Sequence, residues 1–206
     1  NYAPGSEERK ALKEEIDRQM SEVLEIPCIV NGKEIYTNNT VTQVIPHNHG
    51  HILANVHLAG RSEIESACTS AVQAQSGWID MGLEGRASIF ERCADLLAGD
   101  WRMKVNAATM LNQSKTAFQA EIDAACELID FWRFNAYYTR QFHDQFQPLV
   151  SPEGIANTTE IRPLEGFVLA ITPFNFSSIA GNLPSAPALV GCTALWKPSR
   201  NSYYSN

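Results

Sequence analysis

Two polar groups, each set where an apolar run ends, mark where this chain could do chemistry. Asn175 stands between two aromatic rings in Thr172-Pro173-Phe174-Asn175-Phe176, directly after the apolar run 166–172. Lys197 closes a second apolar run, 190–196, and leads into Pro198-Ser199. An asparagine NH2 can donate to an oxygen that gains negative charge during a reaction, and one such donor is worth about 2.7–4 kcal/mol in a transition state. A lysine can donate to ribose hydroxyls or a phosphate as a mobile point charge. Each also has a plainer reading: asparagine commonly caps a helix after a strand, and Lys197 would then be a solvated strand end. The residue pattern by itself favours the plainer pair.

A strand, a helix and a strand must position these groups. Residues 166–172 form a continuous apolar run, as expected of a parallel strand buried on both faces. Residues 177–189 read as a helix broken or shortened by Pro184 and Pro187, and 190–196 as the next buried strand. This is a βαβ unit whose strands end on one rim, where the ligands of open α/β sheets collect. Upstream, residues 7–25 carry Leu12, Ile16, Met20 and Val23 on one side. They predict an amphipathic helix capped by Ser6 and ended by Pro27. Residues 29–36 predict a hairpin, because Asn31-Gly32 suits a type I′ turn, and 41–45 and 52–58 are strands about a turn at 46–50. From Ser62 the apolar period becomes helical, with one helix ending at Gly77 and others over 85–97 and 101–111. The longest helix starts near Thr116, with Phe118, Ile122, Ala125, Ile129, Trp132 and Ala136 on one stripe. Pro148 and Pro152 mark a loop, and 157–162 predicts an exposed or interface strand.

Bulk properties narrow the function classes. A length of 206 residues allows a sizeable core. The net charge of −7 argues against a nucleic-acid surface, which needs a basic face. No apolar run approaches the roughly 20 residues of a membrane-spanning helix. The segment Asn1-Tyr2-Ala3-Pro4-Gly5-Ser6 has neither a signal-peptide core nor an Arg-rich transit character. The five cysteines, Cys28, Cys68, Cys93, Cys126 and Cys192, are odd in number and lack CxxC spacing, which reads as reduced, mostly buried thiols. N-x-S/T matches at Asn38, Asn112, Asn157 and Asn175 are then chance matches. His47, His49 and His51 alternate as metal ligands on one strand face would, but Pro46, Asn48 and Gly50 break that geometry, so a polar turn is preferred. Glu121, Asp123, Glu127 and Asp130 read as the solvated face of a long helix. Trp132, Phe134, Tyr137 and Tyr138 read as packing rather than a platform for bases.

The motifs reach beyond the two apolar runs. Ile171-Thr172-Pro173-Phe174-Asn175-Phe176, Gly181-Asn182-Leu183, Ala186-Pro187-Ala188-Leu189 and Leu195-Trp196-Lys197-Pro198-Ser199 resemble the NAD(P)-dependent aldehyde dehydrogenase superfamily. Glu25-Ile26-Pro27-Cys28, Asn48-His49-Gly50-His51, Gln119-Ala120-Glu121-Ile122-Asp123-Ala124, Glu127-Leu128-Ile129-Asp130-Phe131 and Arg133-Phe134-Asn135-Ala136 are similar to its proline-degradation branch. The resemblance thus covers nearly the whole chain, in order. It implies an α/β fold: the N-terminal portion of an aldehyde dehydrogenase-like architecture, a Rossmann-like parallel sheet preceded by an antiparallel β region and several helices. Residues 1–145 would be the N-terminal helices and β region of an NAD-binding domain, 146–163 an oligomerisation flap strand, and 164–206 the first βαβ. The implied activity is NAD-dependent oxidation of L-glutamate γ-semialdehyde, in equilibrium with Δ1-pyrroline-5-carboxylate, to L-glutamate, in a homodimer or higher assembly of the mitochondrial matrix.

The resemblance also implies roles, position by position. Asn175 matches the oxyanion-stabilising asparagine. Thr172 matches a strand-end contact to NAD, Lys197 the lysine that reaches the adenosine ribose, and Ser199 lies in the same loop. Phe174 stands where tryptophan is common, beside the reaction centre, and Phe176 and Glu127 match positions lining the aldehyde pocket. Arg200 departs from the acidic residue usual after this lysine loop, which bears on NAD against NADP. The implied mechanism is covalent, with a cysteine nucleophile and a glutamate base. Both belong to later motifs beyond Asn206, so this chain alone is not expected to turn over substrate. Two other readings stay open: a non-catalytic NAD-binding or assembly subunit, and an interaction module built on the long helices.

Overall fold

Asn31 and Gly32 adopt φ values of 52° and 71°, the left-handed pair of a type I′ turn. They join β2 (Cys28–Val30) to β3 (Lys33–Ile35) as an antiparallel hairpin, as expected. The computed structural model describes residues 2–148 and 150–206. Helix α1 (Glu7–Met20) starts at the expected cap, where Ser6 Oγ accepts from the Arg9 amide at 3.3 Å. It stops five residues before the predicted end. Residues Leu24–Ile26 instead form β1, which pairs parallel with Ala54, Asn55 and Val56 of β5 (Asn48–His57). An apolar stripe cannot reveal this, because the ladder partner lies about thirty residues away. Strand β4 (Thr40–Ile45) pairs antiparallel with the other edge of β5, so the sheet is mixed rather than antiparallel. The turn is also tighter than expected: Asn48 already pairs with Ile45, and register shifts in β4 absorb the difference.

Helix α2 (Arg61–Asp80) runs through Gly77 instead of ending there. Its last turn is held from outside. Arg86, buried in α3 (Gly82–Ala98), donates to the carbonyls of Trp78 at 3.3 Å, Ile79 at 3.1 Å and Leu189 at 3.0 Å. Those bonds satisfy carbonyls that a helix end leaves without partners. Helix α4 (Arg102–Gln113) follows.

The long helix begins at Thr116 as predicted, with a Thr116–Gln119 capping box. It is not uniform: α5 (Ala117–Ala120) passes into a π-helical turn (Glu121–Cys126) and then α6 (Glu127–Gln145). A π turn closes i→i+5 bonds and so takes in more residues per turn. It therefore changes which face looks inward. Ala125, Ile129 and Ala136 are buried, whereas Phe118 and Ile122 are 73% and 50% exposed, so the predicted single stripe is split in two.

Strands β6 (Phe167–Ile171) and β7 (Thr193–Lys197) pair parallel, from Phe167↔Thr193 to Ile171↔Lys197, with α7 (Ser177–Leu189) between them. Helix α7 is unbroken despite Pro184 and Pro187. Tertiary contacts outweigh the proline penalty: Trp78 Nε1 donates to Ala188 O at 2.7 Å, and α6 approaches so closely that a Cβ at Gly181 would stand 2.8 Å from a Leu128 methyl. Strand β6 is not buried on both faces, since Leu169 and Ile171 are exposed. Residues 157–162 form no strand; an extended segment becomes one only against a ladder partner, and among the described residues they have none.

Apolar cores sit between α3 and the long helix (Ala94, Leu97, Ala125, Leu128, Ile129), between β4, β5 and α4 (Ile45, Leu53, Leu111), and where α7 meets α3 and α6 (Ala87, Ala136, Leu189). Of the five cysteines, all unpaired, only Cys192 is buried; the others are half-buried, more open than expected. Among the described residues no helix is long and apolar enough to cross a membrane.

Tyr204 packs against the second of these cores, and its hydroxyl donates to Gln19 Oε1 at 3.1 Å. Burial pushes its phenol from the ordinary 10.0 up to about 12. A folded-state value above the unfolded one means that the stabilisation is complete below pH 10 and is lost as pH rises towards 12. Tyr204→Phe should remove this part of the alkaline decline, read as urea midpoints across that pH range. Parallel declines in the two proteins would refute the assignment.

Candidate active site

The two strand ends do meet on one rim. The Thr172 amide donates to Lys197 O at 3.3 Å, extending the β6–β7 ladder by one bond. Thr172 is itself buried, and its Oγ1 accepts from Trp196 Nε1 at 3.0 Å. Its hydroxyl is thereby engaged in pinning the turn to β7. Beyond Pro173 the chain surfaces at Phe174 and Asn175, and α7 begins with Phe176 as its N-cap residue at φ −140°. Phe176 has no oxygen to cap with, and Asn175 does not cap in its place. Among the described residues the Asn175 carboxamide has no hydrogen-bond partner. The plainer reading of this asparagine therefore fails.

Lys197 is exposed and, among the described residues, has no ion-pair or hydrogen-bond partner for its side chain. Ser199 differs: its Oγ accepts from the Asn201 amide at 3.4 Å and starts the 3₁₀ turn Arg200–Ser202. A cavity of about 500 Å³ adjoins the rim, bordered by Asn175, Phe174, Lys115, His49, Gln113 and Arg200. Two unengaged N–H donors at the carboxyl ends of neighbouring parallel strands fit a dinucleotide and a developing oxyanion.

Beneath the rim lies a charged network that sequence reasoning missed. Lys115 Nζ donates to the Asn175 main-chain carbonyl, pairs with the Asp123 carboxylate, and stands 4.6 Å from the Phe176 ring centroid. Ser178 Oγ, fully buried in the first turn of α7, lies 3.1 Å from Asp123 Oδ1 and 2.5 Å from Glu127 Oε2, so its one hydroxyl proton is shared between the two carboxylates. Glu127 is thus half-buried and tied to α7. The carboxylates expected on a solvated face are split: Asp130 is exposed, but Asp123 is only 4% exposed. Glu121 accepts from Arg102, Tyr2 and, at 2.7 Å, Asn106. The π turn is the reason, since it carries these carboxylates inward. Nothing in Ser114-Lys115-Thr116 signals this beyond the cap of the next helix, and Ser177-Ser178 reads as ordinary helix-start polarity.

The histidine run is not a polar turn throughout: His49 and His51 belong to β5, and His47, in the turn before it, has its Nδ1 2.8 Å from Ser114 Oγ. Among the described residues no three His, Cys, Asp or Glu side chains cluster to hold a metal. Tyr138 contacts Phe134 and Tyr137 at ring-centroid distances of 6.0 and 5.2 Å on an exposed part of α6.

Fold and rim together define a class, and the chain belongs to the aldehyde dehydrogenase family, whose model matches residues 35–205. More particularly, it is 48% identical over 207 residues to a delta-1-pyrroline-5-carboxylate dehydrogenase of Agaricus bisporus, covering 100% of this chain and 38% of that protein. It is 46% identical over 198 residues to the mitochondrial protein of the same name from Homo sapiens, covering 96% of this chain and 35% of the relative. The crystal structure of a delta-pyrroline-5-carboxylate dehydrogenase from Mycobacterium tuberculosis bound with NAD matches at a TM-score of 0.96 and 47% identity, over 100% of this chain and 38% of that one. The chain spans a little over a third of the length of these relatives.

Ser178→Ala should leave two half-satisfied carboxylates beneath the rim. A loss of about 1–3 kcal/mol in urea unfolding is expected. An unchanged midpoint would mean that the hydroxyl contributes nothing to holding α7 on the π turn.

Proposed function

We propose that this chain acts within an NAD-dependent dehydrogenase that oxidises L-glutamate γ-semialdehyde, the open form of Δ1-pyrroline-5-carboxylate, to L-glutamate. The observation that carries this reading is the pair of unengaged donors, Asn175 and Lys197, at the ends of two hydrogen-bonded parallel strands. The names and NAD-bound structure of the relatives support the substrate and the cofactor. Bound NAD supplies a hydride acceptor. On this chain, Lys197 donates to the ribose, while Thr172, Ser199 and Phe174 shape the same side of the cleft. Asn175 donates to the aldehyde oxygen as it becomes an oxyanion, and Phe176 and Glu127 border the aldehyde pocket. Relatives named as mitochondrial support a mitochondrial location, and the matrix belongs to the same reading. Homodimer assembly, with 146–163 as a flap strand completed by a partner, belongs to the same reading.

The test uses the protein at full family length. Asn175→Ala should lower kcat by about 10²–10³-fold without lowering the melting temperature; an unchanged kcat would overturn the oxyanion assignment. Lys197→Met should raise KM for NAD by about tenfold or more, the loss of one charged hydrogen bond, with kcat kept at saturating NAD. A KM that stays put would remove Lys197 from the cofactor side.

A further inference from the structure

The Asn175 carboxamide must face the substrate oxygen to act, yet among the described residues it has no hydrogen-bond partner that would aim it. The turn carrying it is exposed at Phe174, Asn175 and Phe176, and Phe176 makes no side-chain cap. Among the described residues, the Asn175 peptide group receives one hydrogen bond, from Lys115. Lys115 lies on neither strand nor α7 but in the short link between α4 and α5. Its side chain is 15% exposed and its ion-pair partner Asp123 only 5%.

We propose that Lys115 is a positioning residue. By tying the Asn175 main-chain carbonyl to buried Asp123, it sets the direction in which the Asn175 carboxamide faces the substrate oxygen. The inference rests on reading Asn175 as the oxyanion donor. The buried charge is the Asp123 carboxylate, and an unpaired buried charge is strongly destabilising, so the half-buried Lys115 ammonium group is held against it. The same ammonium group donates to the Asn175 carbonyl, so wherever Asp123 is held, that carbonyl is held too. Asp123 is fixed in turn by Ser178, which also binds Glu127. The chain of contacts therefore joins the α4–α5 link, the π turn and the first turn of α7. The ammonium group over the Phe176 ring adds a second restraint on the residue after Asn175. A swing of the Asn175 peptide by about 1 Å would misalign the donor, and displacements of that size cost on the order of 100-fold in rate.

The experiment is a mutant cycle in the protein at full family length. Lys115→Met is combined with Asp123→Asn so that no buried carboxylate is left unpaired. This pair should lower kcat on the order of 10- to 100-fold with KM for NAD unchanged. In the Asn175→Ala background the same pair should lower kcat no further, because the group it aims is gone. Equal losses in both backgrounds would overturn the positioning role, as would an unchanged kcat for the pair when Asn175→Ala alone is impaired; the oxyanion reading survives either result. An unimpaired Asn175→Ala would remove that reading and the inference with it. Lys115→Gln with Asp123→Asn, which can still donate to the Asn175 carbonyl, should keep kcat well above that of the methionine pair, and a kcat as low as that pair's would also overturn the positioning role. Lys115→Ala with Asp123→Asn answers the first comparison should the methionine variant not fold.

Discussion

A carboxylate taken out of water must be paired, and Asp123 is the place where this chain meets that demand. It lies against the start of α7, with the Lys115 ammonium group on one oxygen and the Ser178 hydroxyl on the other. Three separate segments supply these groups, so satisfying one buried charge fixes their relative positions. The first turn of α7 is also the end of the β6 turn. The charge pairing therefore sets where the functional rim stands relative to the helical layer.

The far end of α7 is held by different physics. Trp78 and Arg86 donate to its last carbonyls, and Gly181 lets it lie directly against Leu128. A helix gripped at both ends keeps two internal prolines in line, although each removes a backbone donor. On this rigid base the rim residues separate into two kinds. Thr172 and Ser199 spend their hydroxyls on the Trp196 indole and the Asn201 amide. Among the described residues the N–H donors of Asn175 and Lys197 bond to nothing, which leaves the groups with transferable hydrogen bonds facing outward. Donors that need no local bond to be broken first are suited to binding a ligand or a transient charge.

Much of this was legible in the sequence, and the reasons are local. The Asn31-Gly32 turn, the Ser6 and Thr116 caps, and the apolar runs of β6 and β7 each depend on residues within a few positions of one another. Local propensity is enough to fix such features. The motif residues on the rim were legible too, since a strand end is read from where its apolar run stops. Glu127 was placed at a pocket by resemblance, but its bond to Ser178 spans 51 positions, and no local signal carries it.

What the sequence determined by itself was thus the order of elements, the βαβ unit and the residues on its rim, because hydrophobic period and turn chemistry act at short range. Only the tertiary structure decided that residues 24–26 join β5 as a strand, that α7 stays whole, and that the long helix admits a π turn. Each outcome turns on a distant partner whose contribution exceeds the local preference. The π turn shows the consequence most plainly: it turned an expected solvated face into a buried charge network. Through Asp123 of that turn, Lys115, silent in the sequence, is tied to the main chain of Asn175.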